Sequence, residues 1–181
     1  INARRVTING MVPEMGTKVT QTDTVCVDGK PVSNIPDQRI YIAYNKPIGV
    51  ICTTDRRIKD NIIDHVAHPK RVFPIGRLDK PSEGLILLTD DGDIVNKILR
   101  ANNHHEKEYI VSVDKDITPT FIERMGGGLP ILDTMTNPCT VVQLSSRKFK
   151  IVLTQGLNRQ IRRMCEFLDY NVLTLKRIRI M

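Results

Sequence analysis

Residues 76–85 read GRLDKPSEGL and place a single carboxylate, Asp79, in a loop with basic neighbours at Arg77 and Lys80. An apolar run at 84–89 follows directly and predicts a buried strand. A rigid strand behind a polar loop is a typical support for a functional side chain. An arbitrary aspartate in such a loop is more often half of a surface ion pair, so this pattern alone does not establish chemistry.

Strands and helices alternate along the rest of the chain after Tyr41. The predicted strands are 40–44, 84–89, 108–113, 139–144, 148–154 and 172–180. The predicted helices are roughly 94–101 with Asp93 as N-cap, a helix between Thr118-Pro119 and Gly126–Gly128, and one that begins near Asn158. This spacing fits a mixed α/β or α+β domain built on a largely antiparallel sheet, and of the two we expect α+β, with helices flanking a mixed sheet.

The N-terminal region differs from the rest. It carries two hairpin signals, Asn9-Gly10 and Asp28-Gly29, between runs rich in strand-forming residues. Such short strands are too few to bury a core alone. A polar segment with Pro36 follows and is interpreted as a linker. We therefore expect two parts, residues 1–35 and residues 36–181.

Composition and charge narrow the class of protein. The chain has 181 residues, a formal net charge of +7 and no apolar run of the roughly 18 residues that a membrane helix needs. The excess of Lys and Arg favours a polyanionic partner, although a basic surface alone is about as often unrelated to nucleic acid. None of the cysteines belongs to a CxxC pair, which favours reduced thiols in the cytoplasm.

Four motifs, in order, resemble those of the RsuA-type RNA pseudouridine synthases. They are NKPIG at 45–49, GRLD with its following GLILLT strand at 76–89, KEY at 107–109 and QGLNRQIRRM at 155–164. The resemblance covers about residues 40–181. It implies the pseudouridine synthase catalytic fold with a central RNA-binding cleft, here incomplete at its C-terminus. Residues 5–32 resemble the C-terminal half of an S4 RNA-binding domain truncated before Ile1.

The resemblance also implies roles for individual residues. Asp79 is expected to be the catalytic carboxylate, paired with Arg162, and Tyr109 is expected to stack on the target uracil. Leu175 is expected to touch the same ring, and Arg77 to occupy the space that the extruded base leaves. For Tyr109 and Leu175 the competing interpretation is a core position, and for Arg77 it is a solvated surface position.

Further basic residues are expected to form a track for the RNA backbone. They are Lys46, Lys107, Arg159 and Arg163, extended by Arg56 and Arg57. The alternative for Arg159 and Arg163 is the solvated face of an amphipathic helix. His104-His105 lacks the spacing of a metal site, so no metal is expected.

The reaction that the resemblance implies detaches uracil from ribose at N1 and rejoins it through C5, so no cofactor is expected. The carboxylate acts as nucleophile or as base, and the sequence leaves both routes open.

The expected partner of this monomeric, cytoplasmic protein is a ribosomal RNA stem-loop with a flipped-out uridine. The HEKEY and GLNRQIRRMCE segments are most similar to the group that acts on 23S rRNA, with 16S rRNA and tRNA as alternatives. A non-catalytic S4-type RNA-binding protein, or a hydrolase with Glu83 as second acid, are the competing functions.

Overall fold

The computed structural model describes residues 1–20, 22–32, 39–99 and 105–180, and the chain divides into two units, Ile1–Arg39 and Ile40–Met181. The expected boundary at residues 35 and 36 lies outside the described residues. In the first unit, β1 (Val6–Ile8), β2 (Val25–Val27) and β3 (Lys30–Pro31) form an antiparallel sheet. The turn between β2 and β3 has positive φ at both Asp28 (51°) and Gly29 (75°), as a two-residue hairpin turn requires, so this hairpin prediction is confirmed.

The second unit is built on a seven-stranded sheet within the described residues. The strands of this unit are β4 (Tyr41–Lys46), β5 (Phe73–Ile75), β6 (Glu83–Thr89), β7 (Lys107–Val113), β8 (Pro130–Ile131), β9 (Thr134–Met135), β10 (Thr140–Ser145), β11 (Lys148–Leu153) and β12 (Val172–Ile180). The sheet order is β10-β11-β7-β12-β6-β4, with β5 also paired to β6, while β8 and β9 form a separate hairpin. Only the β6–β12 pair of this sheet is parallel, so the prediction of a mixed, largely antiparallel α+β fold is confirmed.

Four helices complete the described part of this unit: α1 (Ile62–Val66), α2 (Gly92–Leu99), α3 (Pro119–Gly127) and α4 (Gln160–Phe167). Thr118 caps α3 as predicted, because its hydroxyl accepts the backbone N–H of Phe121 at 3.1 Å. The predicted cap of α2 was wrong. Asp91 Oδ1 accepts the N–H of Asp93 at 3.0 Å, so Asp93 lies inside the first turn and Asp91 precedes it as the acceptor. None of the described helices is both long and apolar enough for a membrane span.

One face of the sheet is covered by two separate hydrophobic clusters. The first joins β7, β11 and β12 to α3 and α4 through residues such as Phe149, Phe121 and Met164. The second joins β6 to α1 and to the segment after β4, with Ile86 and Ile62 at its centre. Tyr109 packs against both clusters, so it stands at their junction.

Gly84 allows the two halves of the sheet to meet. Its φ is +105°, and a Cβ added there would lie 2.1 Å from the carbonyl oxygen of Arg177 and 2.7 Å from its nitrogen. Backbone pairing continues from Lys46 through Gly84 and Arg177 to Tyr109, in one row across four strands. Because only glycine tolerates this approach, the row depends on the absence of a side chain at position 84.

We predict that Gly84→Ala lowers the free energy of unfolding by about 2–4 kcal/mol, because the new methyl group combines an unfavourable φ with overlap on the β12 backbone. Gly92→Ala is the matched control. Gly92 begins α2 with nothing within 4 Å of an added Cβ, so alanine there should be neutral or stabilising by up to about 1 kcal/mol. Urea denaturation of both variants measures the difference, and an unaffected Gly84→Ala variant would contradict the required close approach.

Candidate active site

A cleft of about 510 Å³ opens on the covered face of the sheet. Its lining comes from four regions of the chain: the segment after β4, the loop before β6, the strands near Tyr109, and the turn that leads into α4. The lining residues are Ile51, Cys52, Gly76 to Lys80, Ser82, Tyr109, Leu153, Gln155 to Arg162, and Leu175. Asp79, Arg162, Tyr109, Leu175, Arg77 and Arg159, all singled out from the sequence, therefore lie around one cavity.

The loop that carries Asp79 is tied to the segment after β4 on both sides of the carboxylate. The N–H of Leu78 donates to Cys52 Sγ at 3.3 Å, and the N–H of Gly49 donates to the carbonyl of Lys80 at 2.8 Å. The Asp79 side chain is 35% exposed, so it is held by its backbone but remains open to the cleft. These two bonds fix the backbone on either side of Asp79 without covering its carboxylate.

Two arginines approach the same oxygen of Asp79. Arg162 Nε lies 3.9 Å and Arg159 Nη1 lies 3.8 Å from Asp79 Oδ2. Both distances exceed that of a hydrogen bond, so the interactions are electrostatic. The Arg162 side chain is 10% exposed and the Arg159 side chain 41%, so one ion pair is enclosed and the other is open to water.

Arg162 connects the loop after Asp79 to the start of β12. Its Nη2 donates to the carbonyl of Pro81 and to Ser82 Oγ, each at 3.2 Å, and its Nη1 donates to the carbonyl of Val172 at 3.4 Å. The Nε has no hydrogen-bond partner among the described residues, and it is the atom nearest to Asp79. Burial lowers the pKa of Arg162, the charge of Arg159 lowers it further, and Asp79 opposes the shift. The group stays cationic, because an arginine is not deprotonated in a protein.

Arg159 is presented to the cleft by an unusual turn. It has a left-handed backbone, with φ of 51°, immediately before α4. The buried Gln160 closes this turn, since its Oε1 accepts the N–H of Leu157 at 3.0 Å and its Nε2 donates to Gln155 Oε1 at 3.3 Å. A left-handed conformation is unfavourable for arginine, so these bonds hold the turn against the local preference of the chain.

Aromatic and aliphatic side chains provide the apolar surface of the cleft. Tyr109 is half-buried, and Leu175, on the neighbouring strand, is 6% exposed. Both line the cleft and also belong to the core, so the two interpretations of these residues do not exclude each other. Arg77 is exposed and lines the cleft near Asp79.

Lys46 is not available to RNA in the way we expected. Its side chain is fully buried, and Nζ donates to the carbonyls of Pro47 at 2.9 Å and Val50 at 2.8 Å. Burial lowers the pKa of this ammonium group, while the negative charge of Asp79 opposes the shift. Lys46 therefore holds the turn against which the Asp79 loop rests.

Four further residues of the expected basic track do not line the cleft: Lys107, Arg163, Arg56 and Arg57. Lys107 is half-buried and its Nζ donates to the carbonyl of His105 at 3.2 Å, and burial followed by the nearby Arg177 charge lowers its pKa. Arg163 Nε donates to the carbonyl of Asn158 at 3.1 Å. Arg56 and Arg57 form exposed ion pairs with Asp64 at 3.6 Å and with Asp55 at 2.7 Å. Their charges are thus partly neutralised, while Arg77 has no such partner among the described residues.

Asp79 is the only carboxylate among the described residues that line the cleft. Glu83 does not line it, so the pair of acids that a carboxylate hydrolase needs is not assembled there. Across the described residues, no three His, Cys, Asp or Glu side chains are grouped as a metal site would be. His104 lies outside the described residues. The cavity offers one carboxylate, three arginines, and an apolar surface with one aromatic ring.

Sequence reasoning missed several residues that shape this cleft: Cys52, Ser82, Gln160 and Arg177. Cys52 accepts the backbone N–H of Leu78, and Ser82 accepts a hydrogen bond from Arg162. No local sequence pattern predicts such contacts. Gln160 lies within the QGLNRQIRRM motif, but neither the pattern nor the resemblance gave it a role. Arg177 is 4% exposed, and its Nε donates to the carbonyl of Leu85 at 2.7 Å. The sequence offered one signal for Arg177, namely a charged residue inside the strand predicted at 172–180.

Comparison with known proteins connects this geometry to a family. The family model described as RNA pseudouridylate synthase matches residues 40–167. The dual-specificity RNA pseudouridine synthase RluF of Salmonella typhi is 53% identical over all of this chain and 63% of its own length. The ribosomal large subunit pseudouridine synthase B of Bacillus subtilis is 33% identical over 98% of this chain and 75% of its own. A solved structure, described as a pseudouridylate synthase, is 26% identical, with a TM-score of 0.75 over 99% of this chain and 79% of that one.

The family model covers the part of the chain in which the four sequence motifs lie. The chain spans less than two thirds of the RluF length, at 63%. The family model nevertheless falls on the unit that contains the cleft, and its range runs from the start of β4 to the end of α4. Asp79 and both arginines lie within this range. As its resemblance to the RsuA-type synthases predicted, the chain belongs to the RNA pseudouridylate synthase family.

Proposed function

We propose that this chain carries the catalytic centre of an RNA pseudouridine synthase, an isomerase that converts a uridine of ribosomal RNA to pseudouridine. The main support for this proposal is that Asp79 is the single carboxylate among the described cleft residues and lies opposite Arg162 and Arg159. Tyr109 and Leu175 supply an apolar surface in the same cavity. This set fits a reaction in which one carboxylate attacks or deprotonates a sugar next to a bound base.

The proposed reaction breaks the C1′–N1 bond and forms a C1′–C5 bond. The C5 hydrogen leaves as a proton and N1 gains one, so no atom and no electron is added overall. Asp79 acts either as the nucleophile at C1′ or as the base that removes a sugar proton. In both routes the Arg162 guanidinium group stabilises the anionic carboxylate, and the bonds at Leu78 and Lys80 keep the loop of Asp79 in place.

A uracil inside a helix is out of reach, so we propose that the target base is extruded into the cleft. Tyr109 would stack on its face, and Leu175 would contact the ring from the adjacent strand. Arg77, exposed near Asp79, would fill the space that the base leaves in the RNA stack. Arg159 would meet the RNA backbone.

For the substrate we propose a stem-loop of 23S rRNA, acted on in the cytoplasm by a monomeric enzyme that needs no cofactor. The names of the relatives, one of which refers to the large ribosomal subunit, support this choice. We further propose that the first unit is part of an S4-like module that adds RNA contacts, as its resemblance implies. Conversion of 16S rRNA or tRNA instead is a distinguishable outcome of the same assay.

An RNA-binding protein without catalysis is the remaining alternative. Release of tritium from RNA that carries 5-tritiated uridine separates the two functions, because only the isomerase loses the C5 hydrogen while the RNA chain stays intact. Binding without tritium release would favour the alternative.

The first prediction of this proposal concerns the Asp79 carboxylate. Asp79→Asn keeps the shape of the side chain and removes its charge and basicity, so tritium release should fall below detection while RNA binding persists. Asp79→Glu should lose about a hundredfold, because one added methylene moves the reacting oxygen by about 1 Å. Single-turnover tritium release and RNA affinity are measured together for each variant.

A surface carboxylate provides the control for Asp79. Asp116 is an exposed residue that pairs with Arg147 at 2.8 Å, and it does not line the cleft. Asp116→Asn should leave turnover unchanged. A folded Asp79→Asn variant that keeps activity within tenfold of the wild type would reject the assignment.

The second prediction concerns stacking by Tyr109. Tyr109→Phe keeps the ring and should bind RNA nearly normally, whereas Tyr109→Ala should lower turnover roughly ten- to a hundredfold, since one stacking contact is worth about 1–3 kcal/mol. Tyr44→Ala is the matched control, because Tyr44 packs against the second cluster without lining the cleft. Both alanine variants should melt earlier, and equal turnover in the two would remove the stacking role.

The third prediction separates Lys46 from Arg77. Lys46→Met leaves two turn carbonyls without their donor and should lower stability by about 1–3 kcal/mol, with the salt dependence of RNA binding unchanged. Arg77→Ala should leave the melting temperature nearly unchanged and reduce the slope of log affinity against log salt by up to about one unit. The reverse pattern would assign Lys46 to the RNA backbone.

A further inference from the structure

Arg159 and Arg162 hold the same carboxylate oxygen in different ways. Arg162 is enclosed and is anchored by Pro81, Ser82 and Val172. Arg159 is 41% exposed, and its side chain makes no hydrogen bond among the described residues. Its one close charged partner there is Asp79 Oδ2, at 3.8 Å. The side chain of Arg159 is therefore held at the site only by its ion pair with Asp79.

The Arg159–Asp79 pair joins two different walls of the cleft. Asp79 belongs to the loop before β6, whereas Arg159 belongs to the turn that precedes α4. A ribose that reacts with Asp79 must come within about 3–3.5 Å of a carboxylate oxygen. Its phosphates necessarily enter with it. Arg159, as the exposed partner of that oxygen, then meets a second anion.

The strengths of the two interactions favour a phosphate over Asp79 as the partner of Arg159. An exposed ion pair at this distance stabilises the paired state by no more than about fivefold. A phosphate offers a full negative charge and two oxygens that fit the fork of a guanidinium group. Arg162 has no comparable freedom, because three acceptors already hold it.

We propose that Arg159 is a latch that exchanges Asp79 for a phosphate of bound RNA. Without RNA it pairs with Asp79. With RNA it moves to a phosphate next to the target uridine, and Asp79 keeps Arg162 as its arginine partner. A free nucleoside has no phosphate to receive Arg159, so the latch favours uridine within a polynucleotide. The inference rests on the proposed function, because it requires RNA in this cleft.

The test replaces one phosphate beside the single loop uridine of an RNA hairpin with a neutral methylphosphonate, at the 5′ side in one RNA and the 3′ side in another. One of these should weaken binding to the wild-type protein about tenfold and should leave binding to Arg159→Ala nearly unaffected. In the Asp79→Asn background, which releases the latch, the same methylphosphonate should weaken binding by up to about fivefold more. Arg163→Ala, in the helix that follows Arg159 and outside the cleft lining, is the control and should retain the wild-type sensitivity.

Each outcome has a distinct meaning. A sensitivity that is the same with and without the Asp79 carboxylate leaves a phosphate contact but overturns the latch. A sensitivity that Arg159→Ala retains overturns the contact as well. If wild-type protein isomerises the hairpin in either case, the proposed function stands and the inference alone fails. Binding without tritium release would reject the proposed function, and a folded protein that does not bind the hairpin would overturn both.

Discussion

The approach of β6 to β12 at Gly84 is the constraint from which the cleft follows. Within the described residues it is the one pairing that links β4 and β6 to the strands on the other side. The loop with Asp79 precedes β6 directly, and α4 with its arginines precedes β12. Pairing these two strands in parallel brings the segments before them to the same end of the sheet. A carboxylate and a guanidinium group far apart in the chain thereby become neighbours.

Exposure divides the cationic groups of the site by function. Lys46 and Arg162 are enclosed, and each donates to carbonyl oxygens of the loops that surround Asp79. Removing a buried donor leaves unsatisfied acceptors, which makes such residues expensive to change. Arg159 and Arg77 are exposed, and neither side chain makes a hydrogen bond among the described residues. In the proposed function, the enclosed cations would hold the geometry of the site and the exposed ones would contact the RNA.

A long strand and a local capping pattern were predicted correctly from the sequence, whereas a short helix and the cap of α2 were not. The strand expected at 172–180 agrees with β12, and Thr118 caps α3 because its side chain and the following proline act locally. Helix α1, with only Ile62–Val66, was too short to show a period, and two acids flank Gly92, so the pattern did not reveal which one precedes α2. The meeting of Asp79 and Arg162 came from family resemblance. Spacing alone gave no sign of it, nor that the Lys46 ammonium group is satisfied by the turn that follows it.

The same β6–β12 contact also sets the order of events in folding. The bond from Arg177 to Leu85 joins residues that are 92 positions apart, so a long loop must close before it forms. Parallel pairings of this range form slowly. A chain still on its way out of the ribosome holds Asp79 early, but lacks the strand that completes the floor of the cleft. The proposed activity therefore requires β12, so a molecule shortened before Val172 would contain Asp79 and still be inert.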